Sequence, residues 1–351
     1  MIRVLVVDDS ITVRERLVEI LSSDPEFAVV GQASDGRRAV ELVARLKPDV
    51  ITLDIVMPDM TGLEATEHIM AHQPTPILVV SSSFNRGELF DTYAALAAGA
   101  VDVLEKPRLE DVEWERRFLA AVRLVSRIKV ITHPRARLGT LGRTRAPSLR
   151  GPQLDLRNVP RPIDVVAIGA STGGPGALAT VLGAIGQGFP LPILVILHLD
   201  AQFAGAFADW LGQQIRVPVR LAHDGELLDQ AAGQVRLAPA DVHLGVQGRR
   251  IRLVASPPRN HCRPSVDVLF ESLAAEPALR AAACVLTGMG RDGAAGLLAI
   301  RRAGGFTVAQ DEATSVIYGM PREAVLLGGV DRELPLGEIG PLLDGLRRGP
   351  A

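Results

Sequence analysis

The sequence predicts two α/β domains, each with a mainly parallel sheet, joined by a basic linker. Three observations support this fold class: a length of 351 residues, alternating strand-like and helix-like patterns, and an interruption rich in proline and arginine. A chain of this length favours two domains that each bury a core of their own. Strands that alternate with helical patterns favour parallel sheets covered by helices. We therefore predict domains at residues 1–127 and 162–351, separated by a linker at 128–161.

The first domain contains short apolar runs that are typical of buried strands, with amphipathic stretches such as 11–21 and 36–46 between them. The predicted strands are Val4–Val7, Val29–Ala33, Val50–Leu53, Ile77–Val80 and Val101–Leu104. Five βα units in succession predict a doubly wound, flavodoxin-like (βα)5 domain.

The predicted linker loses the periodicity of the segments on either side. It carries basic residues and prolines throughout, with Asp155 as its single acid. This composition is typical of an extended connection between domains. A polybasic interaction tail is the alternative, but the charges lack helical spacing and aromatic partners.

A second α/β series begins at Ile163 and predicts a doubly wound, mostly parallel sheet. Three of its predicted strands are Val165–Gly169, Ile193–Leu197 and Ala282–Leu286. The segment Val235–Ser256 departs from the pattern, because Gly245–Gly248 separates the apolar runs Val242–Leu244 and Ile251–Val254. A glycine-containing loop between two such runs predicts an antiparallel hairpin.

The composition excludes several classes of protein. A net charge of −2 gives no electrostatic reason to expect a nucleic-acid partner. Cys262 and Cys284 cannot form a disulfide framework and have no partners at metal-ligand spacing, which favours a reducing compartment. No apolar run approaches the roughly 18 residues of a membrane span, so we expect no membrane insertion. The first strand begins too soon after Met1 for a signal peptide, and we expect a cytoplasmic protein.

Four charged residues are expected to meet at one edge of the first sheet. Asp8 and Asp9 end the first strand, Asp54 ends the third, and Lys106 follows the fifth. The ligand crevice of an open α/β sheet lies beyond the carboxyl ends of its strands, so these side chains should converge. Crowded carboxylates favour a hard cation such as Mg²⁺ and leave one aspartate as the nucleophile for a phosphoryl group. Ser81, at the end of the fourth strand, is placed to donate a hydrogen bond to the new phosphate.

Each of these residues also has a simpler explanation when it is taken alone. Asp8 or Asp9 alone is more often a helix N-cap, and Lys106 alone is usually solvated. Their joint placement at strand ends, with Met57-Pro58 shortly after Asp54, favours the phosphoacceptor interpretation.

Residues 1–127 resemble the receiver domain of two-component response regulators. The resemblance implies that a histidine kinase supplies the phosphoryl group, that Asp54 receives it, and that Ser81 and Lys106 contact the phosphate. The implied Mg²⁺ ligands are three carboxylates and one backbone carbonyl, from Asp8, Asp9, Asp54 and Val56.

A second set of reactive side chains follows strands of the second domain. Ser171, His198 and Asp292 each come just after a predicted strand. One fold could therefore gather a hydroxyl nucleophile, an imidazole base and a carboxylate that orients the base, which is the equipment of acyl transfer. The glycine-rich turn Gly169–Gly176 would let a substrate approach the Ser171 hydroxyl and nearby backbone amides.

These residues also have alternative explanations. Ser171 or Thr172 alone could cap the following helix, His198 could be an ordinary core or surface histidine, and Asp292 could be a turn acid or an N-cap. The glycine-rich turn with Asp200 further on also resembles a dinucleotide-binding fingerprint. That alternative is disfavoured because His198 occupies the end of the next strand first.

The second domain resembles the methylesterase domain of chemotaxis response regulators, the protein-glutamate methylesterases and glutamine deamidases. The motifs that carry the resemblance are Gly169–Pro175, Leu237-Ala238-Pro239, Arg263–Phe270, Leu286–Gly293 and Tyr318–Pro321. The resemblance implies Ser171 as the nucleophile, His198 as the base and Asp292 as its orienter. The oxyanion hole would be built from the backbone amides of Met289 and Thr172.

The resemblance further implies methyl-accepting chemoreceptors as the protein substrate, no cofactor for the ester reaction, and a monomeric protein. We expect the unphosphorylated receiver to pack over the cleft near Ser171, and phosphorylation of Asp54 to favour opening. Two alternatives remain: a response regulator with a catalytically silent, binding-only output domain, and a DNA-binding regulator. The segment Leu199-Asp200-Ala201 departs from the family pattern, which leaves the recognised receptor sequence open.

Overall fold

The computed structural model of the chain describes residues 1–82, 86–106, 112–128, 130, 162–199 and 201–346. The chain divides into two compact units between Pro147 and Ser148. The predicted linker 128–161 lies almost entirely outside the described residues, so its boundaries stay predictions. None of the described helices is long and apolar enough to cross a membrane.

The N-terminal unit contains a five-stranded sheet in the order β2-β1-β3-β4-β5, with every neighbouring pair parallel. The strands are β1 (Ile2–Val7), β2 (Phe27–Ala33), β3 (Val50–Leu53), β4 (Ile77–Ser81) and β5 (Asp102–Glu105). The helices are α1 (Ile11–Ser23), α2 (Gly36–Leu46), α3 (Gly62–His72), α4 (Arg86–Ala98) and α5 (Val112–Val125). This strand order confirms the predicted flavodoxin-like fold.

The central strands of this sheet are buried on both faces, which explains why they are continuous apolar runs. All four residues of β3 are buried, and so are Val4–Val7 of β1. Polar caps then start the helices: Ser10 caps α1, and Thr61 forms a capping box with Glu64 at the start of α3. The caps fix where the chain turns at the carboxyl edge of the sheet.

The C-terminal unit contains a seven-stranded sheet in the order β14-β13-β12-β6-β7-β9-β8, with every neighbouring pair parallel. The sheet strands are β6 (Val165–Ala170), β7 (Ile193–Leu197), β8 (Val219–Leu221), β9 (Val235–Leu237), β12 (Ala281–Val285), β13 (Phe306–Gln310) and β14 (Arg332–Leu334). Strands β10 (His243–Gln247) and β11 (Arg250–Val254) form a separate antiparallel hairpin. The helices are α6 (Gly174–Gly183), α7 (Ala201–Gln214), α8 (Val266–Ala274), α9 (Ala294–Arg302), α10 (Met320–Leu326) and α11 (Leu336–Gly345). The predicted doubly wound sheet with a hairpin is confirmed.

The turn of this hairpin lies at a different place from the predicted one. Gly245 belongs to β10, where it pairs with Arg252, and the turn consists of Gly248 and Arg249. Both turn residues have positive φ, 57° and 59°. Such a pair is typical of the two-residue type I′ turn, whose twist matches that of the strands. The predicted loop Gly245–Gly248 was therefore wrong in position, although the hairpin itself is confirmed.

The core of the C-terminal unit places the sheet against α8, α9 and the hairpin. Residues from all of these elements belong to one buried apolar cluster, including Val165, Leu194, Leu244, Phe270 and Leu297. The first residue of α8, Val266, packs closely against Gly169 in β6, where an added Cβ would lie 2.3 Å from the Val266 side chain.

We predict that Gly62→Ala destabilises the N-terminal unit. A Cβ atom at Gly62 would lie 2.0 Å from the backbone oxygen of Asp54, so the chain at the end of β3 must shift. We expect the free energy of unfolding to fall by about 1–3 kcal/mol, as for other overpacked sites. Thermal and urea unfolding of the full chain measure this change.

Gly337→Ala is the matched control, because a Cβ at this position in α11 meets nothing within 4 Å. It should leave stability unchanged or raise it by up to about 1 kcal/mol. Equal stability of the two variants would contradict the predicted clash.

Candidate functional site

The acidic residues of the N-terminal unit meet at the carboxyl edge of its sheet. Ligand atoms of Asp8, Asp9 and Asp54 all lie within 4.8 Å of one another. The Lys106 ammonium lies 2.9 Å from Asp8 Oδ2 and 2.8 Å from Asp54 Oδ2. Asp8 and Asp54 are buried, whereas Asp9 is exposed. The structure therefore brings together the four charged residues that the sequence singled out.

Helix capping does not explain the two aspartates at the end of β1. The N-cap of α1 is Ser10, whose hydroxyl accepts from the Val13 amide. Asp8 Oδ1 accepts instead from the Ser10 amide at 2.9 Å. The N-cap alternative for Asp8 and Asp9 is therefore wrong.

The environment of the acidic residues disfavours their charged forms. Burial, together with the nearby charge of Asp8, raises the pKa of Asp54 to about 6, although Lys106 lowers it. Burial also raises the pKa of Asp8. Burial alone would lower the pKa of Lys106, but its ion pairs with Asp54 and Asp8 raise it. One ammonium group does not neutralise this cluster of carboxylates.

The oxygen atoms of this cluster fit a hard divalent cation. Within the described part of the chain, buried Asp8 Oδ2 has no hydrogen-bond partner besides its ion pair with Lys106. Val56 lies in the connection after β3 with 48% of its surface exposed. Carboxylate and carbonyl oxygens are the ligands that Mg²⁺ prefers. Ser81 ends β4, and its hydroxyl is 3.5 Å from that of Thr92.

The second site lies where the chain crosses between the two halves of the C-terminal sheet. Strand β6 pairs with β12 on one side and with β7 on the other. Ligands bind at such a switch point in open α/β sheets. Because β6 and β7 pair Ala170 with Leu197, the next residues, Ser171 and His198, leave the sheet side by side.

His198 and Asp292 form a hydrogen-bonded pair. Nε2 of His198 lies 3.0 Å from Oδ2 of Asp292, and Asp292 is buried while His198 is 15% exposed. The two residues are 94 positions apart in the chain. The structure therefore brings together the two residues for which the strand-end pattern predicts the roles of base and orienter.

Asp292 accepts hydrogen bonds from the amino end of helix α8. The amides of Val266 and Asp267 donate to it at 2.7 and 3.3 Å, and the N-cap hydroxyl of Ser265 donates at 2.7 Å. The Asn260 side-chain amide adds a donor at 3.0 Å. Burial would raise the pKa of Asp292, but the hydrogen bonds from His198, Ser265 and Asn260 lower it to about 2.

The anionic Asp292 in turn controls the charge of His198. Burial would lower the pKa of His198, but the hydrogen bond to Asp292, with a smaller contribution from Cys262, raises it to about 9. Asp292 therefore stabilises the imidazolium, which is the charge that an acyl-transfer base acquires during reaction. The same pairing stabilises the fold fully below about pH 6.5 and is lost as the pH rises through about 9.

Ser171 lies next to this pair without a hydrogen bond to it. Its amide donates to the Thr287 carbonyl at 3.0 Å, and its neighbour along the sheet edge is His198. Within residues 162–199 and 201–346, Ser171 Oγ forms no hydrogen bond, so the first link of the predicted relay is not made in this structure. Catalytic hydrogen bonds are often long before substrate binds and shorten in its complex.

Helix capping explains neither Ser171 nor Asp292. The N-caps of α6 and α9 are Gly173 and Gly293, both with positive φ and neither with a side-chain cap. Positive φ is adopted most readily by glycine, which has no Cβ, and this accounts for glycine at both turns. Ser171 lies two residues before the N-cap glycine of α6, and Asp292 lies one residue before that of α9, so both capping alternatives are wrong.

Backbone amides lie close to Ser171 on the loop after β12. A Cβ atom at Gly288 would lie 2.7 Å from the Ser171 Cβ, so this loop approaches Ser171 closely. The next residue, Met289, is 57% exposed, and its amide has no hydrogen-bond partner among the described residues. Thr172 contributes its carbonyl to the Thr287 hydroxyl at 3.0 Å. The Met289 amide therefore remains available to an oxyanion.

The sequence argument missed Asn260, Ser265 and the amides of α8. Asn260 and His261 both have positive φ, 50° and 64°, and the flanking Arg259 and Cys262 exchange two backbone hydrogen bonds. This tight turn aims the Asn260 side chain at Asp292. The motif Arg263–Phe270 carries the family resemblance. No periodicity in it, however, indicates that the Ser265 hydroxyl and the first amides of α8 donate to the Asp292 carboxylate.

Comparisons with known proteins match both units of the chain. The family model for the CheB methylesterase matches residues 166–343, and that for the response regulator receiver domain matches residues 4–113. A relative in Paramagnetospirillum magneticum, named protein-glutamate methylesterase/protein-glutamine glutaminase 3, is 43% identical over 97% of this chain and 95% of its own. A relative in Anaeromyxobacter dehalogenans, named protein-glutamate methylesterase/protein-glutamine glutaminase 2, is 44% identical over 99% of this chain and 97% of its own.

Among solved structures, the Thermotoga maritima CheB methylesterase catalytic domain is similar at 34% sequence identity and a TM-score of 0.49. The match covers 52% of this chain and 98% of that chain. The matches define a response regulator whose output domain is of the CheB methylesterase class. The chain belongs to the protein-glutamate methylesterase/protein-glutamine glutaminase family.

We predict that Asp292→Asn lowers the pKa of His198 clearly below its value of about 9 in the wild type. The substitution removes the negative charge that stabilises the imidazolium but leaves the ring buried. The measurement is an NMR titration of the His198 ring protons in the full chain.

Asp267→Asn is the matched control, because Asp267 is a buried neighbour of Asp292 that binds Asn260 and the Gly296 amide and not the imidazole. It should leave the His198 titration close to that of the wild type. An unchanged titration in Asp292→Asn would refute the control of His198 by Asp292.

Proposed function

We propose that this protein is a phosphorylation-regulated serine hydrolase of chemotaxis adaptation. It removes methyl esters from glutamate side chains of methyl-accepting chemoreceptors, which releases methanol, and it deamidates specific receptor glutamines. The observation that carries the proposal is the hydrogen-bonded pair of His198 with the buried Asp292, beside Ser171 at the switch point of the sheet. The names of the full-length relatives support the same activity.

In the proposed reaction, Ser171 Oγ attacks the γ-carbonyl carbon of the methylated glutamate while the neutral ring of His198, the minor form below its pKa of about 9, accepts the serine proton. General-base assistance of this kind contributes about 10²–10⁴-fold to the rate. The tetrahedral intermediate then collapses, the carbon–oxygen bond to the methoxy group breaks, and His198 returns the proton to release methanol. Water hydrolyses the acyl-enzyme by the same steps and restores Ser171. An amide substrate follows the same course and releases ammonia.

The orientation of His198 assigns a role to each of its nitrogens in this mechanism. Nε2 pairs with Asp292, so Nδ1 is the atom left to accept the serine proton. Asp292 holds the ring and stabilises its positive charge. The amides of Met289 and Thr172 would donate to the oxyanion, and each such donor contributes about 10²–10³-fold.

The N-terminal unit would regulate this reaction through phosphorylation of Asp54 by a histidine kinase. Asp8, Asp9, Asp54 and the Val56 carbonyl would hold Mg²⁺, which neutralises charge on the incoming phosphoryl group. Lys106, already paired with Asp54, and the Ser81 hydroxyl would contact the phosphate. We further propose that the protein acts in the cytoplasm as a monomer, and that the ester reaction needs no cofactor.

A binding-only output domain is the second candidate. The retained Ser171, His198 and Asp292 disfavour it, because binding alone requires no ionised, helix-held carboxylate behind an imidazole. A DNA-binding regulator is disfavoured by the parallel α/β architecture of the C-terminal unit.

We predict that Ser171→Ala lowers the rate of methanol release from methylated receptor by about 10⁴-fold or more, since loss of the nucleophile leaves only binding and oxyanion stabilisation. A fluorophosphonate probe should label the wild type and not this variant. Ser126→Ala is the control, because among the described residues that hydroxyl donates to the Arg123 carbonyl alone, at the end of α5. Retention of most esterase activity by Ser171→Ala would refute the nucleophile assignment.

We predict that an acyl phosphate with Mg²⁺ raises methanol release by the wild type by about 5–150-fold, the usual range of allosteric coupling. Asp54→Asn should show no response, because an amide cannot accept the phosphoryl group. Asp59→Asn should respond like the wild type, since Asp59 is exposed on the same loop and its φ of 63° suits asparagine. A full response of Asp54→Asn would exclude Asp54 as the phosphoacceptor.

A further inference from the structure

Cys262 lies beside the imidazole of His198. Its Sγ is 3.7 Å from Nδ1, while Nε2 of the same ring pairs with Asp292 at 3.0 Å. The Cys262 side chain is partly exposed, and Sγ donates to the Asn260 carbonyl at 3.4 Å. The thiol proton is thus directed to a carbonyl, and the sulfur lone pairs remain available to the ring.

The tight turn 259–262 holds the sulfur in this position. Arg259 and Cys262 exchange two backbone hydrogen bonds, of 3.0 and 2.8 Å, across the turn. Asn260, inside the turn, is fixed through its side-chain bonds to Asp267 and Asp292. These hydrogen bonds therefore hold the backbone of Cys262 in a defined position beside His198.

The separation of sulfur and nitrogen fits two ligands of one metal ion. Zn²⁺ binds thiolate sulfur at about 2.3 Å and imidazole nitrogen at about 2.0–2.1 Å, which places two tetrahedral ligands roughly 3.6 Å apart. The observed distance between Cys262 Sγ and His198 Nδ1 is 3.7 Å. An ion of this class would bind with almost no movement of either side chain.

Asp292 would orient the histidine ligand of such a site through its hydrogen bond to Nε2. Histidine ligands of zinc commonly donate their other ring N–H to a carboxylate, which orients the ring and raises its basicity. Asp292 stands in that relation to His198, and ligand atoms of the three residues lie within 4.8 Å of one another. Because Asp292 already accepts several hydrogen bonds, its role here is to orient His198 and not to bind the metal.

We propose that His198 and Cys262 form an inhibitory site for a soft divalent cation of the Zn²⁺ class. On binding, the Cys262 thiol and Nδ1 of the charged His198 ring each lose a proton to solvent, while Nε2 keeps its proton toward Asp292. Sγ and Nδ1 then each donate a lone pair to the ion, and water fills the other positions. The bound ion occupies the lone pair that would accept the Ser171 proton, so acyl transfer stops. The effect on catalysis rests on the proposed function, whereas the binding of the metal does not.

The first test measures metal binding without reference to activity. The reduced full-length protein is titrated with Co²⁺ in excess Mg²⁺, which saturates the carboxylate site of the N-terminal unit. Thiolate bound to Co²⁺ gives a near-ultraviolet charge-transfer band that oxygen ligands do not give. We expect this band in the wild type, and we expect Zn²⁺ to displace it.

Cys262→Ser should abolish the cobalt band, and Cys284→Ala should retain it, because Cys284 is fully buried within β12. Absence of the band in the wild type, or its persistence in Cys262→Ser, would overturn the proposed site. Either result is independent of whether the protein hydrolyses esters.

The second test follows methanol release in the presence of Zn²⁺. We expect Zn²⁺ to inhibit the wild type and a chelator to restore its rate, while Cys262→Ser requires at least about tenfold more Zn²⁺, given how strongly affinity depends on the ligand set. Equal inhibition of both proteins would refute the inhibitory role. An inactive wild type that still shows the cobalt band would count against the proposed function and not against the metal site.

Discussion

The C-terminal site depends on the burial of one negative charge, the carboxylate of Asp292. An unpaired buried ion costs several kcal/mol, so Asp292 can stay ionised only where donors surround it. The amino end of α8 and the Ser265 hydroxyl supply such donors, and the positive end of the helix dipole adds to them. The anion then attracts and orients His198. The packing of α8 against the sheet therefore determines the electrostatics of the proposed active site.

In the N-terminal site, by contrast, the buried carboxylates lack enough hydrogen-bond donors to satisfy their charge. Asp8 and Asp54 are both buried, and both pair with a single ammonium group, that of Lys106. Their carboxyl groups consequently have raised pKa values. A region with surplus negative charge costs stability but attracts a divalent cation, whereas Asp292 is already satisfied within the protein. The N-terminal site therefore needs positive charge from a ligand, whereas the carboxylate of Asp292 does not.

The sequence predicted where the strands end but not which residues donate hydrogen bonds to the reactive groups. Apolar runs locate the strands, and parallel topology brings their carboxyl ends to one edge, which is enough to gather His198 and Asp292. Asn260 and Ser265 were missed because they lie on an irregular segment, whose direction depends on left-handed residues that follow no periodicity. The hairpin turn was misplaced because Gly245 has the composition of a turn but pairs within a strand.

The order of strands in the seven-stranded sheet has a consequence for biosynthesis. The central strand β6 pairs with β12, and the adjoining contact between Asp164 and Arg280 spans 116 residues of chain. Contacts this distant in sequence form slowly, and β6 stays unpaired on that side until most of the unit has left the ribosome. An incomplete chain thus exposes an apolar strand edge that can aggregate. A chain that ends before Asp292 also lacks the partner of His198, so this hydrogen-bonded pair cannot form until that part of the chain is made.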